Sequence, residues 1–110
     1  MSEIRVAEYL DPSGRSPFGR WFDEIDATAA AKVTTALYRL GQGNFSNVKG
    51  VGAGVFEYRI DFGPGYRIYF GKDGAMYVIL LGGSTKKRQS AAIGAAAEAW
   101  TDYKRRKPAR

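Results

Sequence analysis

The sequence predicts an α+β domain: a first strand, one or two helices, three antiparallel strands and a C-terminal helix, with the helices packed on one face of a small sheet. Two observations carry this. Phe56, Tyr58, Ile60 and Phe62 alternate with Val55, Glu57, Arg59 and Asp61, and Tyr66, Ile68 and Phe70 with Arg67 and Tyr69, the period of half-buried strands. Apolar residues recur at helical spacing in Phe18, Trp21, Phe22 and Ile25, then Ala29, Val33, Leu37 and Leu40, and again in Ile93, Ala96, Ala97, Trp100 and Tyr103. The chain of 110 residues suits one domain, 1–110, without an internal repeat or a boundary.

Residues 3–10 form the first strand, with Ile4 and Val6 facing one way, and Asp11-Pro12-Ser13-Gly14 ends it with turn chemistry. Ser16-Pro17 is an N-cap followed by proline at the first helical position. Asp26 is a candidate second cap, and the pattern leaves one bent helix or two short ones open. Gly41 and Gly43 stop the helical run, and the glycine-rich residues 41–54 read as a loop containing Lys49. Val55–Phe62 and Tyr66–Phe70 are the arms of a hairpin around Gly63-Pro64-Gly65. Lys72-Asp73-Gly74 turns the chain into an apolar central strand, Met76–Leu81, which Gly82-Gly83 ends. The basic cluster Lys86-Lys87-Arg88 follows, and the last helix runs from about Gln89 to Arg106.

A three-residue hairpin loop places Phe62 opposite Tyr66 and Ile60 opposite Ile68. On the other face Asp61 then lies opposite Arg67, and Arg59 opposite Tyr69, with Glu57 two residues further along. One small surface thus collects carboxylates, two guanidiniums and a phenol. Tyr58, Tyr66, Trp21 and Trp100 fall on core positions, whereas Tyr69 alternates with the core face.

Composition narrows the chemistry. There is no histidine and no cysteine, which removes the commonest general base, the commonest transition-metal ligands and any disulfide framework. Catalysis would fall to Glu, Asp, Lys, Arg, Tyr, Ser or Thr. The formal charge of +6 favours an anionic partner. No apolar run is long enough to span a bilayer, and the first residues carry no signal core, so a cytoplasmic location without a membrane partner is expected.

Nearly the whole chain resembles the RelE/ParE superfamily of toxin–antitoxin toxins, and within it the HigB-like, phage-derived branch of addiction module killer proteins. The resemblance rests on Pro17-Phe18 with Trp21-Phe22, on Gly43-Asn44-Phe45 with Val48-Lys49, and above all on Val55–Asp61 with Gly63–Gly71. Leu81-Gly82-Gly83, Thr85–Gln89 and the terminal Trp100 with Asp102–Arg106 fit as well. It departs in having Ala92 before the isoleucine of the last helix, where an aspartate is frequent, and no aromatic between Gln89 and Ala99. The resemblance implies a small toxin that enters the ribosomal A site and cuts messenger RNA. It also implies a helix-turn-helix antitoxin that holds the toxin inactive in a hetero-oligomer, and catalysis without metal or cofactor.

Cleavage by attack of the 2′-hydroxyl needs a base, cations for the phosphorane and an acid for the leaving 5′-oxygen. Glu57 is the candidate base, with Asp61 its rival. Arg59 and Arg67 are candidates for the phosphate clamp, because guanidinium matches phosphate in bidentate geometry. Tyr69 is the candidate acid or second clamp together with Lys86 or Lys87, and Lys49, Lys86, Lys87 and Arg88 are candidate nucleic-acid contacts. Three alternatives compete: a ParE-like toxin that binds DNA gyrase and cuts nothing, a non-toxic binding remnant, and a cross-strand salt-bridge lattice of Glu57, Arg59, Asp61 and Arg67 without chemistry.

Overall fold

The structure is a computed structural model and describes residues 3–107. In chain order it contains β1 (Arg5–Glu8), α1 (Pro17–Glu24), α2 (Ala27–Gly41), β2 (Val48–Gly52), β3 (Val55–Ile60), β4 (Tyr66–Asp73), β5 (Tyr77–Thr85), a 3-10 turn (Lys86–Arg88) and α3 (Gln89–Arg106). The sheet order is β1-β5-β4-β3-β2, with β1 parallel to β5 and the other pairs antiparallel. This is the α+β class that the sequence predicts, in the predicted order, with one more strand.

The helix caps act as read. The Ser16 hydroxyl accepts from Gly19 N at 2.8 Å, and the Asp26 carboxylate accepts from Ala29 N at 2.8 Å. Ile25 between them is extended, so the chain makes two helices rather than one bent one. Trp21, Phe22, Val33, Ala36 and Leu40 pack with Tyr58, Ile60, Tyr66, Ile68 and Phe70 on one face of the sheet.

Four features differ from the sequence reading. Residues 48–52, read as loop, form the edge strand β2. An edge strand buries little and needs no apolar alternation; its identity comes from hydrogen bonds to β3. The turn that makes the pair is Ala53-Gly54, both at positive φ (55° and 78°), the two-residue geometry that suits strand twist. Alanine is an unusual choice there, so the turn was not legible. Second, the loop of the β3–β4 hairpin has five residues, 61–65, and Ile60 pairs with Tyr66, Arg59 with Arg67 and Glu57 with Tyr69. The segment Phe62–Gly65 closes its own turn through Gly65 N and Phe62 O, which shortens both strands. The expected pairs Asp61–Arg67 and Arg59–Tyr69 are therefore displaced by two residues, which preserves which face each side chain occupies.

Third, β5 continues through Gly82-Gly83 to Thr85. Tyr69 pairs with Gly82 and Phe70 with Leu80, so Leu81 is an extra residue in a bulge. The bulge reverses the alternation and turns Ser84 toward the Tyr69 side. Fourth, the helices do not share one face. α3 lies on the opposite side from α1 and α2, where Ala96, Ala99 and Trp100 pack on Tyr9, Val55, Tyr69, Ile79 and Leu81. The face expected to be open is covered.

Two indoles lie against glycines on the two faces. A Cβ on Gly71 would collide with the Trp100 ring, and one on Gly83 with the Trp21 ring. Gly71→Ala and Gly83→Ala should each cost about 1–3 kcal/mol by overpacking. Gly82→Ala, where a Cβ meets nothing within 4 Å, should be close to neutral. Equilibrium denaturation of the three variants checks this; equal midpoints would remove the indole seats as a constraint.

Candidate functional site

β3, between the edge strand β2 and the central strand β4, carries Glu57 on the face that α3 covers. Its register partners are Lys49 on β2 and Tyr69 on β4. Glu57 is wholly removed from solvent, and Arg67, two residues before Tyr69, is 6% exposed. Arg67 Nε lies 3.6 Å from Glu57 Oε2, and Lys49 Nζ lies 3.9 Å from Oε1. Gln89, the first residue of α3, donates from Nε2 to Glu57 Oε2 at 2.7 Å. Glu57 Oε1 and Arg67 Nε are buried and make no hydrogen bond among the described residues.

Desolvating one carboxylate costs several kcal/mol, and two flanking cations with one strong hydrogen bond offset it. The arrangement still leaves a buried acceptor and a buried donor unmatched. Unmatched polar groups of this kind are uncommon in a packed interior and call for an explanation.

Behind the carboxylate lies a hydroxyl pair. Tyr69 Oη and Ser84 Oγ are 3.1 Å apart, and Ser84 donates to Thr85 O at 3.0 Å. Burial pushes the Tyr69 phenol up to about 12, the Ser84 hydroxyl partly opposes this, and the charge of Glu57 adds to the rise. A phenol so buried and so weakly acidic is poorly placed to protonate a leaving group. The position of Tyr69 is thus corrected: it is not on an open polar face but under α3, as a support for Glu57.

The basic residues form a rim. Arg59 is exposed beside Arg67, its cross-strand partner. Two guanidiniums opposite each other on adjacent strands repel unless an anion lies between them. Arg67 donates to Gly65 O at 3.0 Å, and a Cβ on Gly65 would touch both Arg67 and Lys86, so these side chains flank one glycine. Lys86, Lys87 and Arg88 are exposed in the 3-10 turn. Lys49, 56% exposed at its side chain, and Arg59 line a polar cleft of about 310 Å³ with Asn47 and Asp61. Asp61 is exposed in the hairpin loop and makes no ion pair among the described residues, which removes it from the Glu57 centre.

The structure therefore brings together Glu57, Arg67, Tyr69 and Lys49, sets Arg59 and Lys86 at their border, and leaves Lys87 and Arg88 further along the turn. Sequence reasoning missed Gln89 and Ser84. Gln89 had only its place after a basic cluster as a signal, and Ser84 is aimed by a bulge that no pattern announces.

No family model matches the chain. It is 41% identical over 73 residues to a protein of Haemophilus influenzae described as "Uncharacterized protein", a match that covers 66% of this chain and 74% of that one. This chain belongs to that protein's family. That description carries no activity.

The phenol gives a pH test. A group whose pKa is raised on folding contributes stability that is complete below its unfolded value, here 10.0, and that is lost as pH rises through about 12. Alkaline unfolding should therefore steepen between these limits in the wild type and be blunted in Tyr69→Phe. Thermal melts across that range, with tyrosinate absorbance, check it; identical alkaline limbs in the two proteins would place Tyr69 in contact with water.

Proposed function

We propose that this chain is the toxin of a type II toxin–antitoxin pair and acts as a metal-independent endoribonuclease on messenger RNA at the ribosome. The observation that carries the reading is the unmatched pair at its centre: a buried Glu57 Oε1 and a buried Arg67 Nε, each without a hydrogen bond among the described residues, ringed by exposed cations. A phosphodiester with its 2′-hydroxyl supplies both missing partners. The hydroxyl donates to the carboxylate, and a phosphate oxygen accepts from the guanidinium.

In the reaction, Glu57 Oε1 takes the 2′-hydroxyl proton as the 2′-oxygen bonds to phosphorus. Arg67 and Arg59 hold the negative phosphorane oxygens. The P–O5′ bond breaks, and Lys49 Nζ, half exposed and next to the carboxylate, gives its proton to the leaving 5′-oxygen. The products are a 2′,3′-cyclic phosphate and a 5′-hydroxyl. Lys86, Lys87 and Arg88 meet flanking phosphates. An antitoxin, expected with a helix-turn-helix DNA-binding part, would silence the toxin by covering this rim with an acidic segment.

One observation favours a second reading. Glu57 and Arg67 are 0% and 6% exposed, as a structural ion pair would be. On that reading the chain acts by binding alone, as a ParE-like gyrase inhibitor does.

A single-turnover cleavage assay on programmed ribosomes separates the two. Glu57→Gln should lower the rate by about two to four orders of magnitude with the fold intact. Arg67→Ala should lose a similar amount through charge stabilisation. Full activity in a folded Glu57→Gln variant would return Glu57 to the salt-bridge role, and intact messages with inhibited gyrase would select the binding reading. Contacts from three to five rim cations to phosphate should also weaken ribosome binding by roughly two decades between low and physiological salt. A flat salt response would argue for a protein partner instead.

A further inference from the structure

α3 is held unequally along its length. Its C-terminal half is clamped: Trp100 lies over Gly71, Tyr103 Oη donates to Asp73 at 2.7 Å, and Tyr9 Oη donates to Asp102 at 2.6 Å. Its N-terminal half is Gln89-Ser90-Ala91-Ala92-Ile93-Gly94-Ala95, mostly small side chains, of which Ala92 and Ile93 are partly buried. No side chain caps its start. Gly94 sits in mid-helix with nothing within 4 Å of where a Cβ would be, so no close approach accounts for a residue that weakens helices. Among the described residues, one side-chain hydrogen bond joins residues 86–95 to the sheet. It is the bond from Gln89 to Glu57.

That bond also divides the two carboxylate oxygens. Oε2 is held by Gln89 at 2.7 Å, with Arg67 Nε 3.6 Å away. Oε1 makes no hydrogen bond among the described residues, and Lys49 Nζ lies 3.9 Å from it. The groups facing the carboxylate are therefore Lys49 from β2, Arg67 and Tyr69 from β4, and Gln89 from α3. Of these, Gln89 and Tyr69 are neutral donors, and Gln89 is the one carried by the weakly held end of a helix.

We propose that Gln89 is the positioning residue of the Glu57 site: its amide holds Oε2, leaves Oε1 for the substrate proton, and latches the first turns of α3 over the carboxylate with Gly94 as the hinge. The latch stands on the hydrogen bond and the uneven packing alone; the role in proton transfer rests on the nuclease reading. A phosphodiester approaching Arg67 enters beside Lys86 and Gln89. The first turns of α3 swing out to admit it and close again, so that the amide holds Oε2 while Oε1 meets the 2′-hydroxyl. The uncovering explains how a carboxylate that is wholly buried at rest can be a base.

Two measurements on the full chain test this. Hydrogen exchange read by mass spectrometry reports the latch without any activity. Gln89→Leu removes the donor, and exchange in residues 86–93 should rise about five- to tenfold while residues 96–104 keep the wild-type rate. Gly94→Ala should slow exchange in the same segment. Gln89→Asn, too short to reach, serves as the second variant and should behave as Gln89→Leu does. Unchanged exchange at 86–93, or a uniform rise along the helix, would overturn the latch.

The second measurement is the pH dependence of single-turnover cleavage. A hydrogen bond to the charged form favours it, so its loss in Gln89→Leu should move the acid limb of the rate profile to higher pH. A merely structural role would scale the rate and leave the limb in place, and that result would overturn the positioning role. Absence of cleavage by the wild type would sink the nuclease reading and with it the proton-transfer role, while the exchange experiment still decides the latch.

Discussion

Both faces of this five-stranded sheet must be covered, and two indole rings do it by lying where glycines leave room. Trp21 takes the seat of Gly83 on the side of α1 and α2, and Trp100 takes the seat of Gly71 on the side of α3. Each ring approaches the backbone more closely than any Cβ would allow. With Trp100 seated, α3 has one position on the sheet, and that position places its first residue above β3. The burial of Glu57 and Tyr69 follows from this docking rather than from any preference of their own, since an isolated β3–β4 hairpin would leave both in water.

Burial changes what the charged residues mean. On an exposed sheet face, a ladder of Glu, Arg, Asp and Arg is worth at most about 1 kcal/mol per pair. Under α3 the same carboxylate is costly to desolvate and is retained only with cations and a donor around it. Arg67 and Lys49 supply the charge, and Gln89 supplies the hydrogen bond. The bulge at Leu81 adds the Ser84 hydroxyl behind Tyr69. Four separate elements thus converge on one carboxylate, and the buried groups left unmatched there are what set it apart from a completed ion-pair network.

The remaining acidic groups show the contrast. Asp102 accepts from Tyr9, Arg105 and Arg106, and these bonds, that of Arg106 first, hold its carboxyl down at about 2. Its hydrogen bonds are made, and it fixes the end of α3 to Tyr9, the residue after β1. Glu57 differs in being more deeply buried yet less completely bonded. A satisfied carboxylate belongs to the framework, whereas an incompletely satisfied one keeps an oxygen for something else.

Local chemistry in the chain alone determined the helices with their Ser16 and Asp26 caps, the β3 and β4 strands, the assignment of every residue from 55 to 60 to its face, and the α+β class. These follow from hydrogen bonds between near neighbours and from side-chain periodicity, both of which act over a few residues. The parity of a strand survives even a two-residue error in register, which is why Glu57, Arg59, Arg67 and Tyr69 were legible as one group. Tertiary structure alone decided the rest: the edge strand β2, the five-residue loop, the bulge, the second covered face, and hence Gln89 as a neighbour of Glu57. Each of these depends on contacts between residues far apart in the chain. Gln89 and Glu57 are separated by 32 positions, and the docking of α3, through Trp100 on Gly71 and the bonds of Tyr103 and Asp102, brings the two together.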